Sequence, residues 1–166
     1  MKPRTLLLGL LGLGGLGGCN GVPSAAAAEA AQPTRADKVV KSDAEWKKLL
    51  SPLAYDVLRH QGTEVAFTGP YWNDHRKAIY HCAGCNLVVF RSDDKFDSGT
   101  GWPSFTRPAS PDAVVVQQDG SHGMERDEIH CPRCGGHLGH VFNDGPAPTG
   151  LRYCINGAAL KQELVK

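Results

Sequence analysis

The sequence predicts an α+β domain dominated by antiparallel sheet, on three observations. A short helical pair precedes the first strand-like run. At least six β-rich runs then follow, separated by Gly, Pro, Asp and Ser. Two C-x-x-C pairs sit at the ends of such runs.

The helical pair is "SDAEWKKLLSPLAYDVLRHQG" (42–62). Ser42 or Asp43 can cap the first helix, which puts Trp46, Leu49 and Leu50 on one face. Ser51-Pro52 supplies a cap and a first-turn proline for the second, since a first-turn N–H has no helical acceptor to lose. That helix should end before Gly62.

The strands come next. "AIYHC" (78–82) and "NLVVFR" (86–91) flank the first C-x-x-C as the arms of a hairpin. "AVVVQQD", "ERDEIHC", "HLGHVFND" and "GLRYCING" follow. "AALKQELVK" (158–166) is expected to close the chain as a short helix, being rich in Ala, Leu, Lys and Gln.

The N-terminal part has a different character. "MKPR" followed by "TLLLGLLGLGGLGG" is a basic head and a glycine-rich apolar run, which reads as a secretory signal over residues 1–18. Leu16-Gly17-Gly18-Cys19 has the form of a bacterial lipobox, with Cys19 as the lipidated residue; cleavage within "SAAAA" is the alternative. Residues 19–41, small, polar and low in complexity, then form a tether, and the folded domain spans 42–166. The location expected is the bacterial cell envelope, periplasmic or extracytoplasmic, with the membrane reached only through the lipid anchor. A formal net charge of +1 and the absence of a Lys/Arg cluster argue against a nucleic-acid partner.

Cys82, Cys85, Cys131 and Cys134 form the two C-x-x-C knuckles. Two such turns can supply all four thiolates of a tetrahedral Zn²⁺. A saturated Cys₄ site has no open coordination position, so its role is structural. Two disulfides, or a thioredoxin-type dithiol, are the competing uses of these cysteines. A zinc deaminase fits poorly, because "HCPRC" carries its proline inside the knuckle.

This leaves Cys154 in "RYCING". On a strand, Arg152, Cys154 and Asn156 share a face. A cation beside a thiol favours the nucleophilic thiolate, and a nearby amide can hydrogen-bond a substrate oxygen. A buried inert cysteine remains the plain alternative. Two further stretches favour chemistry. "GGHLGHVFND" carries His137 and His140, which reach one site only if the strand bulges near Gly139. "SGTGWPSF" places Trp102 on a constrained loop.

Taken together, "GTEVAFTGPYW", "CAGC", "KFDSGTGWPSF", "SHGM" and "CPRCGGHLGHVFNDGPAPTGLRYCING" resemble the B-type methionine sulfoxide reductases, from about Ser42 to the last few residues. The resemblance implies two packed antiparallel sheets with short N-terminal helices, and a structural zinc on the four knuckle cysteines. It implies reduction of the R epimer of methionine sulfoxide, free or in proteins, as protein repair under oxidative stress. Cys154 matches the nucleophile, which would pass through a cysteine sulfenic acid. His137 and His140 match the histidines that bind and protonate the departing oxygen. Asn156 and Arg152 match positions lining the site, and Trp102 matches the ring against which the substrate methyl packs. Asp144 matches a substrate-site position and is expected to orient a histidine. One departure stands out: Thr100 occupies the place where many members carry a resolving cysteine. A thioredoxin-like or other external thiol is therefore expected to attack the sulfenic acid directly. Two rivals are a zinc-stapled binding module, which would survive loss of Cys154, and a thiol peroxidase using the same cysteine.

Overall fold

The computed structural model describes residues 36–120 and 125–166. The signal segment, the Cys19 lipidation site, most of the tether and the "SHGM" motif lie outside the described residues. Among the described residues, no helix is long and apolar enough to cross a membrane.

Helix α1 (Asp43–Leu49) opens on a reciprocal cap, in which the Glu45 carboxylate accepts from the Ser42 backbone N–H at 2.8 Å. Helix α2 (Pro52–His60) follows Ser51, whose Oγ accepts the Ala54 N–H, and it ends on Gln61 in the left-handed conformation. Trp46 and Leu50 are buried as the spacing predicts, but Leu49 is 51% exposed. Leu50 is the C-cap in an extended conformation, so it leaves the helical spiral and does not share a face with Leu49.

Strands β1 (Ala78–Cys82) and β2 (Val88–Arg91) form the expected hairpin. Two very short strands, β3 (Lys95–Phe96) and β4 (Ser104–Phe105), bracket the tryptophan loop. β5 (Val115–Asp119), β6 (Arg126–His130), β7 (His137–Phe142) and β8 (Arg152–Ile155) match four predicted runs with trimmed ends. The C-terminal helix expected from "AALKQELVK" does not form. A 3-10 turn (Gly157–Ala159) leads instead into β9 (Leu160–Leu164).

Two antiparallel sheets result, ordered β2-β1-β9 and β3-β4-β8-β7-β6-β5. β9 pairs with β1 from Ala78↔Leu164 to Cys82↔Leu160. That pairing fills the free edge of β1, and tertiary pairing overrides the segment's helix propensity. The sheets meet through aromatic rings. Phe105 of the larger sheet stacks on Phe90 at 4.5 Å and meets Tyr80 edge-on at 5.2 Å, and all three are fully buried.

The two knuckles repeat one backbone design. In the first, Cys82 N–H donates to Leu87 O and Asn86 N–H to Cys82 O; in the second, Cys131 N–H donates to Gly136 O and Gly135 N–H to Cys131 O. Asn86 and Gly135 hold the equivalent left-handed position. Across the knuckles, Cys82 and Cys134 Sγ lie 3.6 Å apart, Cys85 and Cys131 Sγ 3.4 Å, and all four within 4.8 Å of one another. A tetrahedron of Zn–S bonds near ~2.3 Å has edges of roughly 3.8 Å, so the donor set fits zinc. The crowding also calls for a cation: hydrogen bonds among the four sulfurs push Cys82 and Cys131 above the usual thiol range and Cys85 and Cys134 below it. A metal held there would join the β1–β2 hairpin to the β6–β7 hairpin, and so one sheet to the other. Arg59 and Arg133 donate to the carbonyls of Cys134 and Cys85, and Val39 N–H donates to Arg133 O, so contacts begin just before α1.

Candidate active site

Cys154 lies on β8 between two paired neighbours, Ser104 on β4 and His140 on β7. His140 in turn pairs with Glu128 on β6. Cross-strand partners in one row project to the same face, so Ser104, Cys154, His140 and Glu128 form a line of polar side chains across the larger sheet.

The bulge that the two histidines require is present. Ile129 pairs with Gly139 and His130 with His137, which leaves Leu138 as the extra residue on β7. The bulge turns His137 and His140 to one side, with ring centroids 5.4 Å apart. Gly139 allows β7 to approach β8 closely: a Cβ there would stand 2.1 Å from the Cys154 carbonyl oxygen.

A cavity of about 170 Å³ opens over the thiol, walled by Trp102, His140, Phe142 and Asn156 with Thr63 and Arg126 at its margin. A larger groove of about 420 Å³ adjoins it and shares Arg126 and Phe142. Trp102 is held edge-in by its indole Nε1–H, which donates to the Glu64 carbonyl at 3.1 Å. The Asn156 side chain accepts the Glu64 N–H at 3.0 Å and donates to Leu138 O at 3.2 Å, which leaves one amide proton for a ligand.

His140 lines the cavity, and its Nε2–H donates to Asp119 Oδ2 at 3.1 Å. His137 does not reach the cavity wall. It is buried one layer behind, its Nδ1–H donating to Glu128 Oε1 at 2.5 Å. Burial pushes the His137 imidazolium toward deprotonation, and the Glu128 carboxylate opposes that. Its Nε2 has no hydrogen-bond partner among the described residues.

Asp144 corrects the sequence expectation. Among the described residues it bonds no histidine, and it is not part of the cavity lining. Both its oxygens accept from Arg152, Oδ1 from Nε and Oδ2 from Nη2, each at 2.8 Å. A guanidinium two strand positions from the thiol offers a bidentate match that an imidazole cannot. The histidine-orienting carboxylates are Asp119 and Glu128, which the sequence reading missed. Glu128 had one legible signal: in β6 it alternates with the buried Ile129, on the face shared by Arg126 and His130.

Arg152 stacks over Phe142 at 4.4 Å and is not part of the cavity lining. Burial raises the Cys154 thiol above its ordinary range, while the Arg152 charge and the Thr100 hydroxyl, 4.0 Å from Sγ, pull it back down. Arg152→Met removes the charge and keeps the stem. The inflection of Cys154 alkylation by iodoacetamide should then move to higher pH, and the rate at neutral pH should fall several-fold. A pH profile superposable on that of the parent protein would show that Arg152 does not support the thiolate.

Comparison with known proteins places this geometry. Residues 50–164 match the SelR domain. A Bradyrhizobium diazoefficiens protein is 60% identical over 130 residues, 78% of this chain and 94% of that protein. Relatives from Agrobacterium fabrum and Leptospira interrogans are 58% and 60% identical, over 77% and 75% of this chain and 95% of each relative. All three carry the name peptide methionine sulfoxide reductase MsrB.

Proposed function

The chain belongs to the SelR-domain, MsrB-type family of peptide methionine sulfoxide reductases, and from that premise we propose that it reduces the R epimer of methionine sulfoxide by direct attack of Cys154. The observation that carries this reading is the meeting of Cys154, His140 and Trp102 in one cavity. Trp102 and Phe142 offer an apolar wall for the S-methyl group. The thiolate attacks the sulfoxide sulfur, and the oxygen takes up a proton through His140, which lines the cavity and is oriented by Asp119, with His137 packed behind it. The oxygen then moves onto the Cys154 sulfur as the new S–S bond and the original S–O bond break, which leaves a sulfenic acid on Cys154 and releases the methionine thioether. The cysteine sulfur is oxidised by two electrons and the sulfoxide sulfur is reduced by two. The adjoining groove gives room for the residues that flank a sulfoxide within a polypeptide.

The knuckle cysteines would hold a structural Zn²⁺, which keeps the two hairpins together and takes no part in the chemistry.

Regeneration rests on an external thiol. It condenses with the sulfenic acid, releasing water and forming a mixed disulfide, and a second thiol frees Cys154. Thr100 occupies the point from which a second cysteine would resolve the sulfenic acid, since its Oγ1 stands within contact distance of Sγ. Thr100→Cys should therefore yield an intramolecular disulfide between Cys154 and the introduced thiol after one turnover, read as a loss of about 2 Da on peptide mass analysis. The parent protein should instead yield a mixed disulfide with added thiol. An intramolecular Cys154 disulfide in the parent protein would contradict the one-cysteine cycle.

The N-terminal motif supports export and lipidation at Cys19 in a bacterial envelope, with an envelope thioredoxin-like protein as the reductant. Membrane fractionation of a Cys19→Ala variant tests the anchor, which predicts release of the protein to the soluble phase.

A further inference from the structure

Glu64 has no part in the chemistry proposed above, yet it touches both walls of the cavity. It is 3% exposed and bonds through its backbone and its side chain at once. Its N–H donates to Asn156 Oδ1, and its carbonyl accepts the Trp102 indole N–H. Its carboxylate oxygens accept the Gly157 N–H at 2.6 Å and the Ala158 N–H at 2.8 Å, in the turn that leaves β8 just after Cys154. Room for this carboxylate is built in: a Cβ at Gly69 would fall 2.3 Å from it. Three residues on, Phe67 N–H donates to Gly101 O beside Trp102, so the segment is tied to the tryptophan loop twice.

We propose that Glu64 is the positioning residue of this site, fixing Trp102 and Asn156 relative to Cys154 through a buried carboxylate clamped on the Gly157–Ala158 turn. The clamp holds groups that lie 38 to 94 positions from it in sequence. Without it the Trp102 ring and the Asn156 amide lose their common tether, and the methyl-binding gap between ring and thiol widens. The functional part of this proposal rests on the sulfoxide reductase reading.

Glu64→Gln is the informative substitution. A carboxamide turns one of its two acceptors into a donor facing a backbone N–H, so it should break half of the clamp at nearly constant volume. In zinc-loaded Glu64→Gln, the sulfoxide concentration giving half-maximal single-turnover rate should rise about tenfold, within the range a small misplacement of binding groups produces. Hydrogen exchange of the Trp102 indole N–H, followed by NMR, should accelerate, and the rate of Cys154 alkylation should stay unchanged. Glu64→Asp, assayed alongside, should be intermediate and stands in if the Gln variant does not load zinc. Unchanged half-saturation and unchanged indole exchange in a zinc-loaded variant would overturn the proposal. A parent protein that reduces no sulfoxide, with indole exchange still responding to Glu64→Gln, would sink the reductase reading and leave the positioning role standing.

Discussion

Stripping zinc from the protein, or replacing Cys131 by serine, should unfold the described domain and not merely inactivate it. Structural zinc contributes about 10–16 kcal/mol to folding in small zinc-finger peptides, and a domain of this size has only about 5–15 kcal/mol of net stability. Loss of the metal therefore removes as much as the fold can spare. Two features of this site make the effect global. The knuckles sit in different sheets, so the metal is a cross-link between layers. Cys82 and Cys131 are fully buried, and thiols left there without a cation are crowded and desolvated. The check is circular dichroism during titration with a zinc chelator. Far-UV and near-UV signals should be lost together as zinc is released. Release of one equivalent of zinc with a native near-UV spectrum would contradict a structural role. Because the ligands bind as thiolates, the domain should also lose stability as the pH falls.

Cys154→Ser should abolish reduction of methionine sulfoxide, by a factor on the order of 10⁴ or more, as for loss of other catalytic nucleophiles. A hydroxyl is a far weaker nucleophile than a thiolate at neutral pH, and it has no comparable route for taking up the sulfoxide oxygen. The fold should survive, since Cys154 is only partly buried and its Sγ has Thr100 as a polar neighbour that a serine hydroxyl can equally meet. The variant should still load one zinc and still bind sulfoxide in the Trp102 cavity. These outcomes separate the reductase from its rivals. A binding module would be indifferent to the substitution. A thiol peroxidase would consume peroxide without turning over sulfoxide.

Much of this architecture was legible in the sequence, and the gaps have physical causes. The knuckles, the β1–β2 hairpin and the strand bearing Cys154 could be read because spacing and alternation are local signals. The bulge beside Gly139 could be inferred because His137 and His140 could not otherwise share a side. β9 could not be read, because Ala, Leu, Lys, Gln and Glu favour a helix and only the open edge of β1 makes them a strand. β3 and β4, two residues each, carry no periodicity. The carboxylates of the site stayed hidden for a different reason. Glu64 meets Asn156 across 92 positions and Asp119 meets His140 across 21, and such pairings appear only once the sheet is formed. For Asp144 the resemblance implied a histidine partner, whereas in the structure its carboxylate pairs with Arg152, a bidentate match that only the folded sheet reveals.

The central claim is that Cys154 itself takes up the oxygen of the R epimer. A single-turnover experiment tests it most directly: reduced, zinc-loaded protein is mixed with excess racemic methionine sulfoxide peptide and no external thiol. Both epimers are then resolved by chiral chromatography, and Cys154 is trapped with a sulfenic-acid reagent. The predicted result is loss of about one equivalent of R epimer per protein, none of the S epimer, and a matching sulfenic acid on Cys154. Loss of the S epimer, or methionine formed with Cys154 still a free thiol, would contradict it.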